Sequence, residues 1–243
     1  MGRGPSIEGR KNAEDARRAK VFTKLIREIT IAARGGADPA ANARLRMGID
    51  KALAANMSKD TIERAVKRGS GADGADNMEE IRYEGYGPGG VAVIIDTMTD
   101  NSVRTVADVR HALSKHGGNL GTSGSVAFQF SRRGEIVVVT PDSAAEDRLM
   151  ELALEAGAED VASADGRSTV ICAPTDFEAV KKSIEAAGLK PDSADIVMAP
   201  ANRVKVEGEA LEDLLDMIDR LEGLDDVQEV YHNADLPPEP VED

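Results

Sequence analysis

NAEDARRAKVFTKLIREITIAAR, residues 12–34, separates into two faces when wound as a helix at about 100° per residue. Val21, Phe22, Leu25, Ile26, Ile29, Ala32 and Ala33 share an arc of about 140°. Arg17, Lys20, Lys24, Arg27 and Arg34 share an arc of about 100° on the other side, interrupted only by Ile31. One face requires a core, and the other presents a row of cations. A helix face left to water usually mixes Glu with Lys at i,i+4. This stripe holds no acid, so its charge points to an anionic partner, with a solvated face as the alternative.

The neighbouring segments build a small domain around that helix. Residues 1–11 are Gly-rich, carry Arg3, Arg10 and Lys11, and read as a flexible arm. Gly35 and Gly36 stop the first helix. Asp38-Pro39 reads as an N-cap with proline at the first helical position. The second helix then runs to about Asn56, with Ala41, Leu45, Ile49, Ala52 and Leu53 on one face. Ser58 caps a third helix, with Ile62, Ala65 and Val66 inward and Gly69 as its stop. Three helices with short loops predict a bundle. Arg44, Arg46, Lys51, Arg64, Lys67 and Arg68 face outward and, with Lys11, Arg18 and the stripe, make the candidate nucleic-acid-binding surface.

The charge distribution supports the same reading. The 243 residues carry a net charge of −14, which by itself argues against a nucleic-acid partner. Yet residues 1–70 hold 16 Lys and Arg against 8 Asp and Glu, while the rest of the chain holds 14 against 36. A basic head on an acidic body localises the interaction surface to the head. The single cysteine, Cys172, cannot form an internal disulfide, and no signal-peptide pattern opens the chain. Both features predict a reducing, cytoplasmic setting. No apolar run reaches the roughly 20 residues that cross a bilayer.

Residues 69–77 (GSGADGADN) read as a linker. Strands at 81–85 and 91–97 flank GYGPGG as a hairpin. A helix follows over 102–116, capped within 99–101, and then a strand at 125–131, with 132–134 as a joint. Residues 135–200 run β-α-β-β-α-β, the order of a ferredoxin-like domain. The last segment offers a short strand near 203–206, a helix at 209–222 and a strand at 227–231. It cannot bury a core alone, and 78–133 lacks a second helix. Joining them gives one discontinuous α/β domain, 78–133 plus 201–236, with 134–200 inserted as a ferredoxin-like domain. The 1–77 segment forms the basic helical domain with its arm, and 237–243 is a Pro-rich, acidic tail expected to be disordered.

Catalytic chemistry finds little support. His111 and His116 are five apart and do not share a helix face, and His232 is remote, so surface histidines are the expectation and no metal or cofactor is predicted. Cys172 beside Ile171 reads as a buried, inert thiol. EGYGPGG joins two strands, whereas a phosphate-binding loop opens a helix. The loop at 115–125, KHGGNLGTSGS, remains a candidate recognition loop. Arg110 falls among Val103, Val106, Ala107 and Leu113, which predicts an arginine paired to a strand acid. The helix at 209–222 holds an acidic face that is either solvated, docks a basic partner or repels nucleic acid.

VFTKLIREITIAAR, KALAANMSKDTIERAVKRGSG, YEGYGPGGVAVIIDTMTDN and RTVADVRHALSKHGGNLGTSGSVAFQF together resemble the YebC/PmpR family, which includes the mitochondrial translational activator of cytochrome c oxidase. The opening GRGPSIEGRKNAEDARRAK departs from the commoner GHSKW-like start but keeps the RK…DA(K/R)R…K frame. The resemblance implies an α+β, multidomain protein: an N-terminal three-helix bundle and two ferredoxin-like α/β sandwich domains, the third inserted in the second. It also implies a non-enzymatic, nucleic-acid-binding regulator. The first expectation is a DNA-binding transcription regulator. The alternative is a translation factor that binds ribosomal RNA and assists synthesis of proline-rich sequences, with ribosomal proteins as partners of the acidic body. A monomer is expected in either case.

Overall fold

The computed structural model describes residues 7–71 and 77–236. Most of the expected arm, the centre of the linker and the acidic tail lie outside that range. The described chain forms two compact units. The first holds residues up to Gly90, then 94–122 and 207–230, and the second holds 91–93, 123–206 and the residues from 231 onward.

The first unit opens with three helices, α1 (Ile7–Ala33), α2 (Ala43–Ala54) and α3 (Lys59–Gly69). Helix α1 starts five residues before the expected point, within the supposed arm. Ile29, Ala32, Ala33, Leu45, Ala52, Met57, Ile62 and Ala65 form the core, with Phe22, Leu25, Ile26, Ile49 and Val66 packed around it. This is the apolar arc of α1 meeting the inward faces of α2 and α3. The start of α2 differs from expectation. Asn42, not Asp38, is its N-cap, and its side chain accepts from the Leu45 amide at 3.0 Å. Asp38 instead closes a tight turn, accepting from the Ala40 amide. Ala41 therefore precedes the helix and is exposed, and Leu53 on the last turn is also exposed. Ser58 caps α3 as expected. At the other end of α3, Gly69 lies so close to α1 that a Cβ there would stand 1.9 Å from the Thr30 carbonyl oxygen.

The chain then forms β1 (Glu79–Tyr86), β2 (Ala92–Thr99), α4 (Ser102–Lys115) and β3 (Asn119–Leu120). Asn101 caps α4 through the Arg104 amide. Next come β4 (Phe130–Val139), α5 (Ser143–Glu155), β5 (Asp160–Ala164), β6 (Arg167–Cys172), α6 (Phe177–Ala186), β7 (Ser193–Pro200) and β8 (Val204–Lys205). The chain finishes with α7 (Glu209–Glu222), β9 (Val227–His232) and β10 (Ala234–Asp235).

One sheet has the order β3-β1-β2-β9. Helices α4 and α7 pack on each other, and Val109, Ala112 and Leu113 of α4 and Leu214, Met217 and Leu221 of α7 are essentially buried. The face of α4 is rotated from the expected one. Thr105 is buried, Val103 is 77% exposed, and Arg110 is exposed. The cause is polar: the Thr105 hydroxyl hydrogen-bonds to Thr99 and to Asp226, which turns that side of the helix inward. The arginine–acid pair expected at Arg110 is made by Arg104 instead.

The second unit holds the other four-stranded sheet, β5-β6-β4-β7, in which every pairing is antiparallel. With α5 and α6 this is the ferredoxin-like order. Ile136, Val138, Leu149, Ala153, Val170, Cys172, Phe177, Val180 and Ile184 fill its core. Three expectations give way here. Strand β4 is continuous through 132–134, and Gly134 lies at its centre because a Cβ would meet Cys172 Sγ and Phe177 Cδ2 at 2.7 Å. Residues 127–129 form a 3₁₀ turn rather than strand. The short strand near 203–206 pairs in parallel with β10, Val204 opposite Ala234, rather than joining the other domain's sheet. Both strands of that pair lie in the second unit.

Candidate nucleic-acid interface

The cationic stripe of α1 meets the C-terminal end of α7. Lys20 Nζ donates to the Gly223 carbonyl at 3.2 Å, and Lys24 Nζ to the Glu222 carbonyl at 3.0 Å. A helix leaves its last carbonyls unpaired and carries partial negative charge there, so ammonium groups at that end are favourable. One turn further on, Arg27 Nη1 donates to the carbonyls of Met98 (2.9 Å) and Asp225 (2.7 Å) and to Asp226 Oδ1 (2.9 Å). In return, Gln228 Nε2 donates to the Lys24 carbonyl at 2.9 Å.

Asp226 is the centre of this contact and is only 6% exposed. Besides Arg27 it accepts from Arg104 Nε (3.1 Å) and Nη2 (3.0 Å) and from the Thr105 hydroxyl (2.8 Å). Two guanidinium groups and a hydroxyl thus replace the water that a buried carboxylate loses. Arg104 also bonds Asp100, which holds the Asp100 carboxyl below its ordinary range. Burial lowers the Lys24 ammonium, opposed by Glu229 and Glu222. Burial also raises the Tyr83 phenol, and the negative charge of Asp226 adds to the rise.

The stripe expected to face an external anion is therefore partly occupied from within. Lys20, Lys24 and Arg27 hold the helical head to the end of α7. The sequence signal was Ile31, the one apolar residue in the cationic arc, which is 5% exposed. An apolar side chain there means that part of the arc is covered by protein.

The remaining candidates fall into two groups. Arg44 pairs with Glu80 and Glu28, and its bond to Glu80 raises the guanidinium above its ordinary range. Arg46 donates to the carbonyls of Pro39 and Ala40, and Arg64 pairs with Asp60 one turn back at 3.0 Å. Arg34 and Lys51 also interact within the chain. Arg17, Arg18, Lys67 and Arg68, by contrast, are exposed and make no ion pair with a described carboxylate. The Arg18 guanidinium lies 5.2 Å from the centre of the Phe22 ring. The side chain of Lys11 lies outside the described residues.

The connection between α2 and α3 is four residues long and contains Asn56 at φ 62°. A short turn with a left-handed residue between two helices is the kind of connection used by helix-turn-helix motifs. The glycine-rich segments have a packing role. A Cβ on Gly85 would lie 2.5 Å from the Asn119 carbonyl oxygen, and one on Gly118 would lie 2.5 Å from that of Tyr86.

No catalytic grouping emerges among the described residues, and no three His, Cys, Asp or Glu side chains lie close enough to hold a metal. Cys172 is buried, and burial raises its thiol. His111 is exposed. His232 is partly buried, and its Nδ1 accepts from the Ala234 amide at 3.1 Å. Burial lowers that imidazole, and Arg203 lowers it further. No described helix is long and apolar enough to cross a membrane.

Residues 4–72 match the family model described as the TACO1/YebC protein N-terminal domain, and residues 78–234 match the TACO1/YebC second and third domain. A Methylococcus capsulatus protein is 60% identical over 233 residues, covering 95% of this chain and 93% of its own. An Acidithiobacillus ferrooxidans protein is 57% identical over 232 residues, covering 95% and 92%. Both carry the name "Probable transcriptional regulatory protein". The crystal structure of a conserved hypothetical protein from Aquifex aeolicus superposes with a TM-score of 0.84 at 42% identity, over 94% of this chain and 95% of that one.

Proposed function

The chain belongs to the TACO1/YebC family, and from that footing we propose that it is a non-enzymatic, nucleic-acid-binding regulatory protein. In this reading it is a DNA-binding transcription regulator that acts as a monomer in the cytoplasm. The observation that carries it is the set of exposed head cations without a carboxylate partner among the described residues: Arg17, Arg18, Lys67 and Arg68. They belong to the basic segment of a chain with net charge −14. Each phosphate they neutralise releases counterions and adds salt-dependent affinity. The printed names of the relatives point the same way. In this reading the chain has three domains: the helical head, a split α/β domain and an inserted ferredoxin-like domain.

A second reading, a translation factor bound to ribosomal RNA, is favoured by one specific feature. The basic stripe of α1 holds no Asn or Gln, the side chains that read adenine, so its contacts suit positioning on a phosphate backbone more than reading sequence. The acidic body would then face basic ribosomal proteins. Co-sedimentation with ribosomes and binding to DNA, each across a salt series, separates the two. Sequence-preferring DNA binding at physiological salt without ribosome association supports the regulator. Salt-resistant ribosome binding beside weak, non-specific DNA binding overturns it.

A further inference from the structure

Phe128 is the most exposed large apolar side chain among the described residues, at 78%. It is also the only described aromatic residue that is exposed. The sequence Ser-Val-Ala-Phe-Gln-Phe alternates, and as a strand it would place Val126, Phe128 and Phe130 on one inner face. The 3₁₀ turn at Ala127–Gln129 breaks that alternation. Val126 and Phe130 remain buried while Phe128 is turned out.

The turn is held firmly on both sides. The Gln129 amide donates to the Val126 carbonyl at 3.0 Å, and the Ala201 amide donates to the Gln129 carbonyl at 2.8 Å. Asn233 Nδ2 reaches Gln129 Oε1 at 3.4 Å. Burying a phenylalanine stabilises a fold, and here that gain is forgone on a fixed turn.

The charge around it identifies the partner. Residues 123–134 and 196–206, which the Ala201–Gln129 bond brings together, contain no Asp or Glu and four cations. Arg133 pairs with Glu135, and Lys205 stands opposite Asp235 in the β8–β10 ladder. Arg132 and Arg203 remain, both exposed, Arg203 using one Nη1 bond to the Ala234 carbonyl. An exposed aromatic ring on segments whose acidic neighbours are taken up by Arg133 and Lys205, with Arg132 and Arg203 left over, has the composition of a single-strand nucleic-acid platform. The ring stacks on a base, and the guanidinium groups take the phosphates.

We propose that Phe128, with Arg132 and Arg203, is a second nucleic-acid contact in this chain, specific for an unpaired base of single-stranded RNA or DNA. This rests on the nucleic-acid reading of the head and adds a strand-type preference that the head cations cannot supply. The test uses the full-length protein with fluorescein-labelled 20-nucleotide oligo(U) and oligo(dT) and a hairpin duplex as control. Phe128→Ala should weaken single-strand binding roughly tenfold, within the range for one stacked base, and leave duplex binding unchanged. Phe128→Leu should behave like Phe128→Ala. Phe128→Trp should bind like the parent, and its fluorescence should be quenched on binding, because the chain has no other tryptophan. Equal single-strand affinity of the parent and Phe128→Ala overturns the stacking site while leaving the head reading intact. Full activity of Phe128→Leu also overturns it, since it indicates an apolar protein contact. A parent protein that binds neither single strand nor duplex overturns both readings.

Discussion

Asp226 accepts a 2.9 Å hydrogen bond from Arg27, although the two residues are 199 positions apart in the chain. This pair couples the basic helix to the turn after α7 and explains why an acid-free stripe occurs on a helix of an acidic protein. Arg104 and Thr105 complete the carboxylate's shell. Breaking a buried pair from one side strands the other charge and costs about 3–5 kcal/mol. Asp226→Ala should therefore lower unfolding stability by roughly 3 kcal/mol in urea titrations. A double-mutant cycle of Arg27→Ala with Asp226→Ala should show a coupling of about 1–3 kcal/mol. Additive effects would mean that the contact contributes nothing of its own.

The two groups of head cations should separate by phenotype. Charge reversal at Lys20 and Lys24 places carboxylates against the carbonyl end of α7, so it should lower the melting temperature. Charge reversal at Lys67 and Arg68 leaves every described contact intact, so the melting temperature should hold while nucleic-acid affinity falls. Paired calorimetry and binding measurements on the two double variants check this. Identical behaviour of both would contradict the division.

Gly69 tests the packing of α3 on α1. A methyl group there would stand 1.9 Å from the Thr30 carbonyl oxygen, a backbone atom that cannot swing away. Gly69→Ala should destabilise the protein by about 3 kcal/mol, despite the higher helix propensity of alanine. Thermal unfolding of the variant measures it. A neutral or stabilising effect would show that the helices are less closely packed.

His232 predicts a pH dependence. Its folded pKa is lowered by burial and by Arg203, and its Nδ1 must stay unprotonated to accept from the Ala234 amide. The folded state therefore binds the proton less readily than the unfolded state. Stability from this group is complete above the ordinary histidine value near 6.5 and declines as pH falls from there toward the lowered folded value. Urea titrations between pH 7.5 and 5 should show that decline, and His232→Asn should flatten it. An unchanged slope in the variant would assign the decline to other groups.

The legible parts of this fold were those set by local periodicity and capping. The apolar arc of α1, the Ser58 and Asn101 caps, the ferredoxin-like order of the insert and the bounds of α7 all follow from side-chain pattern. What escaped the sequence depended on distant partners. The pattern sets Arg110 among Val103 and Val106, but Thr105 bonds Asp226 and faces inward, Arg110 is exposed, and the pair with an acid is made by Arg104, itself exposed. Alternation places Phe128 in a strand because it cannot signal a 3₁₀ turn fixed by Ala201. The stripe of α1 was read as open because nothing local shows that the end of α7 arrives there, although Ile31 within the arc was a sign of it.

The most direct test of the central claim is the salt dependence of nucleic-acid binding. Affinity of the full-length protein for duplex DNA and for ribosomal RNA would be measured between 50 and about 300 mM salt, beside a variant carrying Arg17→Gln, Arg18→Gln, Lys67→Gln and Arg68→Gln. Four lost phosphate contacts should make the slope of log K against log salt on the duplex shallower by as much as ~3–4 units, with weaker binding at every salt concentration. Unchanged affinity and slope in a folded variant would contradict the claim that these exposed cations of the head grip the phosphate backbone.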